Sequence, residues 1–186
     1  MATTHVFIVN TNTFKYHLEY LFAGTGAKDD KAFEIHLQAY IVQNIGKGFN
    51  KSLDKCLLND LTFEWLGNEV SCGVGMQRID IMLSVIKNNV KIVVPVELKS
   101  VEASTDNIIQ IQRYVEWLEQ YYVPNRISDI QPVLISKKID DKNDTTYKGI
   151  IKSFEQFNNK NKSCYPIKYI EFELVNMDLV FDEVKY

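Results

Sequence analysis

Two apolar segments separated by a short Asn-containing break constrain this chain more than any other stretch. The first runs Arg78-Ile79-Asp80-Ile81-Met82-Leu83-Ser84-Val85-Ile86, and the second runs from Val90 through Ile92-Val93-Val94-Pro95-Val96 to Glu97-Leu98-Lys99. Lys87-Asn88-Asn89 lies between them. β-Branched runs flanking an Asn-rich break read as a β-hairpin. A turn centred between Asn88 and Asn89 sets Asp80 opposite Glu97, and opposed residues of an antiparallel pair have Cβ atoms about 5 Å apart. Glu97 and Lys99 are two apart and share a face. One hairpin thus gathers two carboxylates and an ammonium at one spot. Two acids this close repel each other unless a cation sits between them.

The flanking sequence gives this hairpin helices. Asp29 or Asp30 can cap a helix from Lys31 to Ile45, with Leu37, Tyr40, Ile41 and Ile45 as its apolar stripe and Gly46-Lys47-Gly48 as its stop. Leu61 to Trp65 reads as a short strand. Ser104-Thr105-Asp106 supplies caps for a helix from Asn107 to Tyr122, in which Ile108, Ile111, Val115, Leu118 and Tyr122 recur at helical spacing and which Pro124 ends. Pro132 to Ser136 reads as a buried strand, and strand–helix–strand in this order implies a parallel crossover beside the antiparallel hairpin. Tyr147 to Phe157 is amphipathic and helical, Asn158 to Ser163 a loop, and Ile167 to Leu174 a closing strand. Near the start, His5 to Asn10 reads as a strand and Thr11 to Phe22 as an aromatic-rich helix. The expected class is α/β, with a mixed central sheet flanked by helices in the order α-β-β-β-α-β.

With 186 residues, ten Tyr, ten Phe and two Trp, the chain has ample material for one sizeable core, and residues 1–186 are read as a single domain. No apolar run approaches the roughly 20 residues needed to span a bilayer, and Met1 to Asn10 has neither the basic nor the long apolar region of a signal peptide. Cys56, Cys72 and Cys164 are an odd number without metal-site spacing, as expected of reduced thiols. Together these give a cytoplasmic protein with no membrane contact. The net charge is −3 and the pI about 5.7. A freestanding DNA binder shows a basic excess, so any affinity of this chain alone for DNA is expected to be weak.

The clustered residues suit phosphodiester hydrolysis, which needs an activated water and charge neutralisation at phosphorus. Asp80 and Glu97 fit as ligands of a hard divalent ion, and the carbonyl of Leu98 falls on the same edge. Lys99 would orient or deprotonate the water, or offset charge on the phosphate. His5, His17 and His36 lack partners at useful spacing, which argues against a zinc hydrolase. Gly73-Val74-Gly75 is not followed by the Gly-Lys-Ser/Thr of a phosphate loop. Taken alone, Glu97 and Lys99 also fit a surface ion pair worth little, but the density of apolar residues around them argues for a central strand, where unpaired charge is costly.

Asp80, then 16 residues, then Glu97-x-Lys99 resembles the active-site signature of the PD-(D/E)XK nuclease superfamily. Glu34 sits on the preceding helix, where many members carry a further acid, and Gln110 and Tyr114 form a Gln-x-x-x-Tyr pair on the following one. The stretch from Arg78 to Trp117 looks similar to the catalytic domain of NucS-type endonucleases, and the short chain resembles the small catalytic subunit of a heterodimeric type IIS restriction endonuclease. The literal Pro-Asp pair is absent, since Ile79 precedes Asp80. The resemblance implies a restriction-endonuclease-like fold and Mg²⁺-dependent cleavage of one strand of double-stranded DNA, with Mn²⁺ able to substitute. It also implies a larger partner that recognises the DNA and nicks the other strand. It makes Asp80, Glu97, Lys99 and Glu34 catalytic, with Asp80, Glu97, Glu34 and the Leu98 carbonyl as metal ligands. Other readings are an autonomous repair nuclease on mismatched or branched DNA, and a non-catalytic binding module.

Around this core, Glu34 reads either as a ligand-positioning acid or as a helix-start acid favoured by the dipole. Glu64 is an accessory candidate from a neighbouring strand. Gln110 and Tyr114 read as contacts to the site or DNA, or as residues of the core rim. Lys99→Ala, like Asp80→Ala, is expected to end cutting and leave the fold intact.

Overall fold

A computed structural model describes residues 30–59, 61–73, 77–122, 130–176 and 178–186. The strand expected at His5–Asn10 and the helix at Thr11–Phe22 lie outside them.

The hairpin forms as β2 (Arg78–Lys87) and β3 (Val90–Glu102). Its ladder pairs Ile81 with Val96, Met82 with Pro95 and Lys87 with Val90. Asn88 and Asn89 both take left-handed backbone, φ 50° and 64°. Two consecutive positive-φ residues make the tight turn whose twist matches the flanking strands, and asparagine tolerates it better than most residues. β1 (Thr62–Ser71) pairs antiparallel with β2, and β4 (Val133–Lys137) parallel with β3. β5 (Lys168–Val175) is parallel to β4, and β6 (Asp178–Val184) closes the far edge antiparallel to β5. The sheet is mixed and runs in sequence order from β1 to β6.

Helices cover both faces. On one lie α1 (Asp30–Asn44) and α2 (Lys51–Leu57); on the other lie α3 (Thr105–Trp117) and α4 (Thr145–Lys160). Leu37 and Ile41 of α1, with Ile45 just beyond it, pack with Ile81, Leu83, Val94, Val96 and Leu98. Ile108, Ile111, Tyr114 and Val115 of α3, with Phe154 of α4, pack with Met82, Val93, Leu134 and Tyr169. β3 is therefore buried on both sides, which is why it reads as a nearly unbroken apolar run. The α/β class and the α-β-β-β-α-β order expected from the sequence are both present.

Five details differ from the sequence reading, the added edge strand β6 among them. β1 runs on to Ser71, well past Trp65. α2 is added, capped by Asn50, whose side chain accepts the Leu53 N–H at 2.9 Å and donates to the Leu179 carbonyl at 2.7 Å. α3 begins at Thr105 and passes after Trp117 into a wider π-helical turn, Leu118–Tyr122. α4 runs through Asn158 to Lys160, where the sequence suggested a loop.

Candidate active site

The site forms where β2 and β3 part. Their ladder ends at Ile81 and Val96, so the next backbone groups need other partners. Asp80 supplies one, its Oδ2 accepting the Leu98 N–H at 2.7 Å. In an extended strand the N–H and C=O of one residue point to the same side, so the Leu98 carbonyl lies along the edge that Asp80 occupies. From α1, Gln38 Nε2 donates to the Asp80 carbonyl at 2.7 Å and fixes the start of this gap.

Glu97 is fully buried, at 0% exposure. Its Oε2 accepts from the Tyr114 hydroxyl at 2.7 Å. Its Oε1 lies 2.6 Å from Lys99 Nζ, yet no donor is aligned to hydrogen-bond it among the described residues. The contact is a close ion pair, and it lies in a site with more carboxylates than cations. Lys99 Nζ also faces Glu34 Oε1 at 3.8 Å, while Glu34 Oε2 takes a long 3.4 Å bond from the Ser100 N–H. Gln110 Nε2 donates to Tyr114 Oη at 2.7 Å. Tyr114 Oη sits equally close to the Arg78 carbonyl, also 2.7 Å, so its single proton is shared between that oxygen and Glu97.

Three carboxylates therefore face one ammonium. Burial, then the charge of Glu97, pushes the Asp80 carboxyl up to about 7. Glu97 is raised as well, chiefly by burial, with Lys99 and Tyr114 opposing the shift. Burial works to lower Lys99, but Glu97 and Glu34 outweigh it and the ammonium is held above its ordinary value. Tyr114 is raised by burial and by Glu97. The common cause is an excess of buried negative charge, which a bound cation would relieve.

Among the described residues, no three His, Cys, Asp or Glu side chains are arranged as a ready metal cage. What the site offers is a pair of buried carboxylates and a strand-edge carbonyl. Mg²⁺ is ordinarily held this way, by one or two carboxylates with the remaining positions left to water and phosphate.

Of the sequence candidates, Asp80, Glu97, Leu98, Lys99, Glu34, Gln110 and Tyr114 are brought together. Glu64 is not. Its Oε2 accepts from Ser84 Oγ at 2.6 Å and pairs with Lys91 Nζ at 2.9 Å. A register shift between Phe63 and Trp65 sets Trp65 opposite Ser84, four residues, or about 13 Å along the strand, from Asp80. Gln38 was not anticipated. Its place one helical turn after Glu34, on the same face, was the available signal.

No protein-family model matches this chain, and no curated protein does. Solved structures give low-scoring likenesses. One is a repair endonuclease from Pyrococcus abyssi, with 16% identity and TM-score 0.35 over 69% of this chain and 44% of that one. Another is an EndoMS–double-stranded DNA complex, with 14% identity and TM-score 0.39 over 78% and 47%. A third is an fdxN element excision controlling factor protein from Anabaena variabilis, with 15% identity and TM-score 0.39 over 80% and 98%. This chain spans less than half the length of the first two. At such scores the likeness says nothing of chemistry.

Proposed function

We propose that this protein is a Mg²⁺-dependent DNA endonuclease that hydrolyses one strand, as the catalytic subunit beside a larger DNA-recognising and nicking partner. The observation that carries the reading is the buried Glu97 carboxylate, set beside Asp80 and Lys99 where β2 and β3 part. A buried excess of carboxylates in the middle of a sheet opposes folding unless a cation offsets it, and groups perturbed in this way cluster at functional sites.

In this reading Asp80, Glu97 and the Leu98 carbonyl hold the metal ion. When bound, the ion supplies charge neutralisation at phosphorus and lowers the pKa of a coordinated water. Lys99, an ammonium at neutral pH, orients the attacking water and offsets charge on the phosphate rather than removing a proton. Glu34 holds Lys99 from the α1 side. Tyr114 and Gln110 fix the rotamer of Glu97 from α3. Gln38 pins the Asp80 backbone. Charge supports dependence on a partner: a chain of net charge −3 with an acidic site attracts a polyanion poorly.

The test is plasmid cleavage in Mg²⁺ by the chain alone, by the chain with the protein encoded beside it, and by that mixture with Asp80→Ala. Double-strand cutting by the wild-type mixture only is the expected result. Cutting by the chain alone removes the partner from the reading, and absence of cutting throughout leaves the fold as a binding module.

A further inference from the structure

Next to the acidic site lies a cleft of about 530 Å³, lined by Gln77 and Arg78 at the start of β2 and by Asp106, Ile109, Gln110 and Arg113 of α3. We propose that Arg78 and Arg113 form a phosphate clamp in this cleft that seats the DNA backbone beside the Asp80–Glu97 site; this rests on the endonuclease reading above.

The cleft and the site share a wall. Gln110 lines the cleft and donates to Tyr114 Oη, the atom that reaches Glu97. Arg78 precedes Asp80 by two residues on the same strand, a separation of about 7 Å, and its carbonyl is held by the same tyrosine. A strand of nucleic acid entering the site from this side therefore passes the cleft that both arginines line.

The charges are available. Arg113 is exposed and has no ion pair among the described residues. Arg78 meets Glu69 at 3.3 Å, with both side chains about half exposed, and such a pair is worth little in water and exchanges readily. Asp106 is the acid facing the cleft. A guanidinium presents paired donors that match two phosphate oxygens, which an ammonium does not. On an acidic chain, a local pair of arginines at the mouth of the site answers the need that net charge leaves unmet.

Fluorescence anisotropy of a labelled duplex, without divalent metal and over a salt series, tests the clamp. Arg113→Gln and Arg78→Gln are each expected to weaken binding about tenfold and to reduce the salt slope by about one. In cleavage assays with Mg²⁺ and the partner, they should raise KM more than they lower kcat. Asp106→Asn should strengthen binding. Lys148→Gln, an exposed change on α4, controls for net charge. Equal losses in Lys148→Gln and Arg113→Gln would overturn the clamp, as would wild-type affinity and KM in both arginine variants of a protein that binds and cuts. A wild-type chain that neither binds nor cuts even with its partner overturns the endonuclease reading, and the clamp with it.

Discussion

Tyr114 Oη sits 2.7 Å from Oε2 of Glu97, so a helix residue whose body belongs to the core closes off a carboxylate buried in the central strand. Tyr114 is 1% exposed, and no water can replace its hydroxyl without opening α3 from the sheet. Tyr114→Phe therefore leaves Oε2 without its donor. The expected cost is about 1–3 kcal/mol, read by urea denaturation at neutral pH. It should shrink at low pH, where Glu97 takes up a proton. A variant as stable as wild type across this range would mean that the bond does not help to hold Glu97.

Asp80 carries the pH dependence. Its carboxyl titrates near 7 in the folded chain and near 4 when unfolded, so the folded state binds the proton more tightly. The ionised form destabilises the metal-free protein fully above pH 7. That penalty is relieved as pH falls from about 7 to about 4, and below that it is absent. Asp80→Asn removes the penalty. The variant is expected to be more stable than wild type above pH 7 by up to a few kcal/mol, with the gap closing towards pH 4, while losing DNA cleavage. Thermal denaturation of both proteins in chelator across this range checks it. A gap that widens on acidification would reverse the sign of the argument.

Much of this site was legible because the hairpin turn was. Asn88 and Asn89 hold both positive-φ positions of a two-residue turn, and that alone fixes which residue of β2 faces which residue of β3. Counting then brings Asp80, Glu97 and Lys99 together, but the ladder stops at Ile81 and Val96, and Asp80 takes the Leu98 N–H instead of standing as the ladder partner of Glu97. Glu64 escaped the same counting because no short turn fixes the register of β1 on β2: Phe63 faces Val85, which leaves Glu64 beside Ser84, four residues from Asp80. β6 was hidden by its charge. Asp178, Asp182 and Glu183 make the segment acidic, whereas Leu179 and Phe181 alternate inward and join the cluster that holds Phe172 and Leu37. α2 was hidden by its length, since seven residues are too few to show a helical period. Its cap, Asn50, gains a second use by tying α2 to β6, a contact across the sequence that no local pattern carries.

Lys99 is more than a catalytic candidate, and here the structure alters the sequence expectation. Its ammonium is the close cation beside the Glu97 Oε1 atom that lacks an aligned donor. Removing one partner of a buried pair leaves the other uncompensated, at a cost of about 3–5 kcal/mol when the remaining charge persists. Lys99→Ala should therefore lose both cleavage and stability at neutral pH, with stability recovering on acidification as Glu97 becomes neutral. Lys99→Arg should keep most of the stability and lose cleavage, because a guanidinium cannot take the same position as a point charge. Chemical denaturation at two pH values, run beside the cleavage assay, separates the two effects. Undiminished stability of Lys99→Ala at neutral pH would show that Glu97 is already protonated there.

The excess of carboxylate predicts how metal should act on the fold. A cation that binds only the folded state stabilises it by mass action, about 2.7 kcal/mol at a hundredfold excess over Kd. Here it also relieves the repulsion between Asp80 and Glu97. Mg²⁺ is thus expected to raise Tm, with Mn²⁺ acting similarly. The increment should be large above pH 7 and small near pH 5, where the Asp80 proton competes with the ion. Asp80→Asn should abolish most of the increment, although it raises Tm in chelator, so metal and mutation would stabilise by the same route and fail to add. Differential scanning fluorimetry of wild type and Asp80→Asn, with and without Mg²⁺, reads the four combinations at each pH. Additive gains would place the ion away from Asp80, and no gain in wild type at either pH would leave the carboxylate pair without a metal role.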